Sequence, residues 1–119
     1  MKICFTSEGP DPSSDVEPRF GRSQYFIIYD DETGKHEAID NSENARADSG
    51  AGVKSASTVV EKGVDWVACS HIGPRAMQVL REGGVRVCTG CCGIVWDAIE
   101  AFEDGELHEV EQADMPGQE

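Results

Sequence analysis

Val64-Asp65-Trp66-Val67-Ala68-Cys69-Ser70-His71-Ile72-Gly73-Pro74, followed after a helical pattern by Gly83-Gly84-Val85-Arg86-Val87-Cys88, decides the fold of this chain. Residues 64–69 read as a short buried strand. Pro74 suits the first position of a helix, Ala76, Met77 and Leu80 give that helix an apolar face, and Gly83-Gly84 ends it. Residues 85–88 are the next strand. Strand, helix and strand joined by short connections make a βαβ unit, which implies parallel pairing with a right-handed crossover. Beyond it, Val95, Ala98, Ile99 and Phe102 lie at i, i+3, i+4 and i+7, an amphipathic helix that Gly105 stops.

Working outward, Gly50-Ala51-Gly52 opens another helix, with Val53, Ala56 and Val60 along it and Gly63 after it. Ile3 and Phe5 alternate with Cys4, so residues 2–6 form a first strand. Residues 7–15 are turn formers almost without apolar side chains and read as a mobile loop. Tyr25-Phe26-Ile27-Ile28-Tyr29 is the strongest strand signal in the chain. A turn at residues 30–35 leads to a weaker strand at 36–40, residues 41–48 read as loop, and residues 106–110 add a short edge strand. The expected fold is a single α/β domain over residues 1–110, a mixed sheet of about five strands flanked by three helices. Residues 111–119 read as an acidic, disordered tail.

The chain has 119 residues, ten basic and 23 acidic, with a formal charge of −13. Seven of the acids lie from Glu103 onward, where there is no Lys or Arg. This balance disfavours nucleic acid as a partner, because phosphate-backbone binding depends on Lys and Arg. No apolar run approaches the ~20 residues that span a bilayer. The amino terminus is too short in apolar residues for a signal-peptide core, so the expected location is the cytoplasm with no membrane partner. Five cysteines are then reduced, and an odd number does not form a closed disulfide framework.

Three of the five cysteines stand in Cys88-Thr89-Gly90-Cys91-Cys92. Cys69 and Cys88 each end a strand of the βαβ unit, which brings both to the carboxyl edge where open α/β sheets bind ligands. His71 leaves the first strand there. The candidate metal ligands are therefore Cys69, His71, Cys88, Cys91 and Cys92, since thiolate is a soft donor suited to zinc, copper(I) or iron-sulfur clusters. Helices starting near Pro74 and Ile94 turn their N–H groups to the same edge, and Arg19, Arg22, Lys54 and Arg75 are available to balance an anionic ligand. Two other chemistries suit the same residues. One is a redox dithiol at Cys88 and Cys91, activated by a helix N-terminus. The other is a structural zinc site of three cysteines and His71. Simple burial of thiols, Cys4 above all, is the bland alternative. No Ser-His-Asp arrangement, phosphate loop or dinucleotide fingerprint is present, and acids are few in the strands, so no catalytic activity is expected.

Met1-Lys2-Ile3, Arg19-Phe20-Gly21-Arg22, Tyr25-Phe26, Gly50-Ala51-Gly52, Ile72-Gly73-Pro74 with Ala76, and Gly84-Val85 ahead of a glycine-rich turn before residues 95–98 together resemble the dinitrogenase iron-molybdenum cofactor biosynthesis family (NifX-like) over about residues 1–107. The resemblance implies a ribonuclease-H-like domain. It also implies a carrier that holds a metal-sulfur cluster, of iron-sulfur or iron-molybdenum type, between donor and acceptor proteins of cofactor assembly. The cofactor-binding residues it implies, with the cations above, are Arg19, Gly21, Arg22, Gly50, Gly52, Gly73 and Arg75. Carriers of the family often have His before Phe-Gly, where this chain has Arg19. An arginine pairs with an anionic cluster but does not coordinate metal.

Overall fold

The alternation of Ile3, Cys4 and Phe5 sends neighbouring side chains to opposite faces of a sheet. The computed structural model, which describes residues 1–115, is built around that division. Strand β1 (Lys2–Ser7) pairs antiparallel with β2 (Tyr25–Asp30), and β2 pairs antiparallel with β3 (His36–Asp40). On its other side β1 runs parallel to β4 (Trp66–Cys69), and β4 runs parallel to β5 (Arg86–Thr89). A last strand, β6 (His108–Val110), pairs antiparallel with β5. The order is β3-β2-β1-β4-β5-β6, a mixed sheet of six strands rather than about five. The short β6 completes it, with the guanidinium of Arg86 donating to both carboxylate oxygens of Glu109 at 2.8 and 2.6 Å.

Among the described residues four helices accompany the sheet: α1 (Ser42–Ala45), α2 (Ala51–Glu61), α3 (Pro74–Glu82) and α4 (Val95–Glu103). One face buries Cys4, Phe26, Ile28, Val67 and Val87 with Ala56 and Val59 of α2 and Met77 and Leu80 of α3. The other buries Ile3, Phe5, Ile27, Tyr29 and Ala68 with Val95, Ala98 and Ile99 of α4. The single turn α1 lies where the sequence suggests loop. Its residues have no apolar period, and side-chain bonds hold the turn instead. The Asp40 carboxylate accepts from the Ser42 N–H (2.9 Å) and hydroxyl (2.6 Å), while buried Asn41 donates to Ser23 O and Ser55 Oγ, both at 2.9 Å.

Two further segments differ from the sequence reading. The loop expected to be mobile is tied down across the carboxyl edge, with Glu8 N–H donating to Asp15 O and Val16 N–H to Gly93 O, each at 2.9 Å. The tail expected to be disordered from residue 111 is in place as far as Met115. Ala113 packs against the α2–α3 face of the core, and Asp114 N–H donates to Ile72 O at 3.2 Å. The remainder of that tail lies outside the described residues. Among the described residues no helix is long and apolar enough to cross a membrane.

Candidate functional site at the carboxyl edge

Because β1, β4 and β5 run parallel, Ser7, Cys69 and Thr89 end at one edge. The chain returns to that edge in the segment before a 3-10 turn at Phe20–Arg22. His71 N–H donates to Pro18 O (2.9 Å) and Phe20 N–H to His71 O (3.0 Å), so Arg19 and His71 become bridge partners in parallel register. Both side chains face solvent, at 61% and 56% exposure. Among the described residues the Arg19 guanidinium has one carboxylate partner, Glu17 at 4.0 Å, a loose contact that leaves it available.

The cysteine turn is clamped to the same place. Ser70 Oγ donates to Cys91 O at 2.6 Å, and Cys91 N–H donates to Cys69 O at 3.3 Å. The register separates the thiols. Ala68 pairs with Cys88 and Cys69 with Thr89, so Cys69 and Cys88 point to opposite faces of the sheet. Cys69 joins the core beneath α2 and α3, whereas Cys88 and Cys91 join the core beneath α4. Cys92 is the exposed member. The described residues contain no group of three or more His, Cys, Asp or Glu side chains placed to hold a metal ion.

The two helix ends also differ. That of α4 is satisfied from within: Val95 N–H donates to Ser14 O (2.9 Å), Trp96 N–H to Pro12 O (3.0 Å), and Ile94 N–H to the Asp97 carboxylate (3.1 Å). It has little left for an external anion. Ahead of α3, the Ile72 N–H donates to Asp114 Oδ1 at 2.8 Å, and Asp114 Oδ2 lies 2.9 Å from His71 Nδ1. Asp114 is 43 residues from His71 in sequence and in a segment without periodicity, so nothing local marks it. Ser70 carries a weak signal, a hydroxyl between Cys69 and His71 at a strand end.

A match to the dinitrogenase iron-molybdenum cofactor family model covers residues 1–105. The chain belongs to that family. It is similar to the apo form of the orange protein from Desulfovibrio gigas, with a TM-score of 0.91 and 30% identity over 96% of each chain. It is also similar to the Thermotoga protein TM1290 of the DUF35 family, with a TM-score of 0.84 and 37% identity over 96% of this chain and 97% of that one. Among curated sequences, the uncharacterized protein MJ0580 of Methanocaldococcus jannaschii is 29% identical over 113 residues, 93% of this chain and 92% of its own.

In this member of the dinitrogenase iron-molybdenum cofactor family, several residues that the motifs suggest for ligand contact also build the fold. Arg22 Nη1 donates to Ala45 O (2.9 Å) and Ala47 O (3.0 Å), which ties the end of α1 to the 3-10 turn. Gly73 is buried as the residue preceding α3, and Gly50, with φ 73°, precedes α2 in the left-handed region. Arg75 is exposed in the first turn of α3. Gly21 allows close backbone approach: a Cβ there would stand 2.9 Å from Gly52 Cα and 3.0 Å from Gly52 N. Gly21→Ala is therefore expected to lower stability by about 1–3 kcal/mol, since rigid backbone and not a flexible side chain must move. Denaturant unfolding measures this, and an unchanged midpoint would show that the start of α2 yields freely.

The buried thiols are held protonated. Burial pushes Cys88 up to about 12, with Glu109 adding to it. Burial likewise pushes Cys91 up to about 12, with Cys88 and Cys92 contributing. Cys69 is raised well above its ordinary value by burial, then by Cys91 and Cys88 nearby. These shifts run opposite to the activation that a Cys88/Cys91 redox dithiol requires, because desolvation disfavours thiolate. A structural zinc site needs four ligands converging on one ion, and Cys69 and Cys88 diverge. A cavity of about 170 Å³ lined by Ile3, Phe5, Tyr29, Ile99 and Phe102 opens beneath α4 toward the other end of β1. Met1, Asp31 and Glu103 complete its lining, so it is mixed in character, and it plays no part here.

Proposed function

We propose that the chain is a non-catalytic carrier of an anionic metal-sulfur cluster, an iron-molybdenum cofactor precursor or a related iron-sulfur or molybdenum cluster. It takes this cargo from one protein of cofactor assembly and passes it to another in the cytoplasm. The observation that carries the reading is the backbone pairing of Arg19 with His71, which sets an exposed cation beside an exposed imidazole at the carboxyl edge. Membership of the dinitrogenase iron-molybdenum cofactor family supports the choice of cargo. The order β3-β2-β1-β4-β5, with its first three strands antiparallel, supports the ribonuclease-H-like assignment.

A cluster brings its own sulfide, so it needs fewer protein donors than a bare ion. His71 and Cys92 are the exposed soft donors at this edge, and Arg19 and Arg75 offset negative charge in a chain of −13. Use of Cys69, Cys88 or Cys91 would require the turn to open and a proton to leave, because metal binds thiolate. Anaerobic purification followed by iron, molybdenum and sulfide analysis with an absorption spectrum tests the reading. Protein carrying metal and sulfide together, with loading reduced in Cys92→Ala, is the expected result. Protein that holds neither metal as isolated, and takes up neither with sulfide on anaerobic reconstitution, would sink it.

A further inference from the structure

We infer that Asp114 is a positioning residue that fixes His71 in the tautomer with the proton on Nδ1, leaving Nε2 as the metal-donor atom of the edge. This rests on the carrier reading for the identity of the ligand but not for the state of the ring.

An ionised carboxylate is an acceptor only, so the 2.9 Å contact between Asp114 Oδ2 and His71 Nδ1 places a proton on Nδ1. The neutral ring then carries its lone pair on Nε2. A carboxyl group is ordinarily ionised at neutral pH. The carboxylate is itself fixed. Its Oδ1 accepts from Ile72 N–H at 2.8 Å, and its own backbone N–H donates to Ile72 O at 3.2 Å. The histidine is fixed from the other side by the bonds of its backbone to Pro18 and Phe20. Its side chain remains 56% exposed. Carboxylate, imidazole and open Nε2 form the arrangement by which ligating histidines are oriented and made more basic. The last described residues thus reach back to the β4–α3 turn and complete a donor there, which the pattern of residues 111–115 does not suggest.

The test uses untagged, ¹⁵N-labelled full-length protein, with His71 read apart from His36 and His108. At pH 8, wild type is expected to show His71 as the Nδ1–H tautomer, and Asp114→Ala to lose that preference. With zinc(II) alone as the probe, the His71 Nε2 resonance is expected to move on binding. Asp114→Ala should weaken that binding roughly 10- to 100-fold, and Asp114→Asn, which retains an acceptor oxygen, should weaken it less. A wild-type ring protonated on Nε2, or a tautomer unchanged in Asp114→Ala, overturns the inference. Equal or tighter zinc binding by the variant also overturns it, and would make Asp114 a competitor for the edge. If the tautomer behaves as expected but zinc binds neither protein, Asp114 sets the ring without making a metal donor, and that half of the inference falls. The carrier reading is judged separately, by the iron, molybdenum and sulfide content above.

Discussion

At pH 8 the folded protein is expected to give up one cysteine quickly to a thiol reagent and four slowly. Cys92 is exposed, while Cys4, Cys69, Cys88 and Cys91 are buried. Reagents attack the thiolate, and a thiol held at about 12, as Cys88 and Cys91 are, is ionised in only about one molecule in ten thousand at pH 8, against roughly a quarter for an ordinary cysteine. The greater intrinsic nucleophilicity of the more basic thiolate narrows this to a rate difference of roughly a hundredfold before restricted access is counted. Cys92→Ala should remove the fast phase, and denaturant should bring all the remaining thiols into it. Two or more fast equivalents in the native protein would mean that the turn at residues 88–92 opens readily. That outcome would restore Cys91 as a ready ligand. The sign has a consequence for loading. Protons must leave for these thiols to bind metal, so any cluster that recruits them should bind more tightly as pH rises.

Phe20→Ala is expected to cost about 3–5 kcal/mol, the range for a fully buried phenylalanine. The side chain is 0% exposed and its ring lies 5.3 Å from that of Phe26. Against a total of about 5–15 kcal/mol for a domain, the loss is a large fraction. It should lower the melting midpoint by roughly 10–25 °C at this size. The ring does more than fill space. Phe20 N–H makes one of the two bonds to the backbone of His71, so the aromatic anchor in the core and the exposed Arg19–His71 pair are parts of one short segment. A loss below about 1 kcal/mol would show that the 3-10 turn is held by Arg22 and not by Phe20.

The fold was legible where periodicity reports burial. Residues 64–88 announce strand, helix and strand, and the structure supplies β4, α3 and β5. Residues 25–29 alternate little because β2 is covered on both faces, yet their aromatic and β-branched composition marks a strand. The one-turn helix Ser42–Ala45 was not legible, because its stability comes from Asp40 and Asn41 side chains and not from an apolar stripe. At the site, sequence locates the thiols at the correct edge but not on the correct faces. A register offset of one residue turns a side chain from one core to the other, and that offset depends on tertiary packing. With Ala68 opposite Cys88, the thiols of Cys69 and Cys88 fall on opposite faces of the sheet. Asp114 was illegible for a related reason: a contact across 43 residues leaves no local pattern.

The pairing of Arg19 with His71 also bears on the order in which the molecule assembles. Each tie at the carboxyl edge joins segments far apart in the chain: Pro18 and Phe20 with His71, Pro12 and Ser14 with the start of α4, Cys69 with Cys91, and Ile72 with Asp114. Contacts of such separation carry a loop-closure cost that the local bonds of a helix do not. The edge is therefore finished only when segments from well-separated parts of the chain have met, Pro12 and Ser14 on one side and Asp114 on the other. A change at any one of these ties, Asp114 included, would therefore be felt by segments that the sequence keeps far apart.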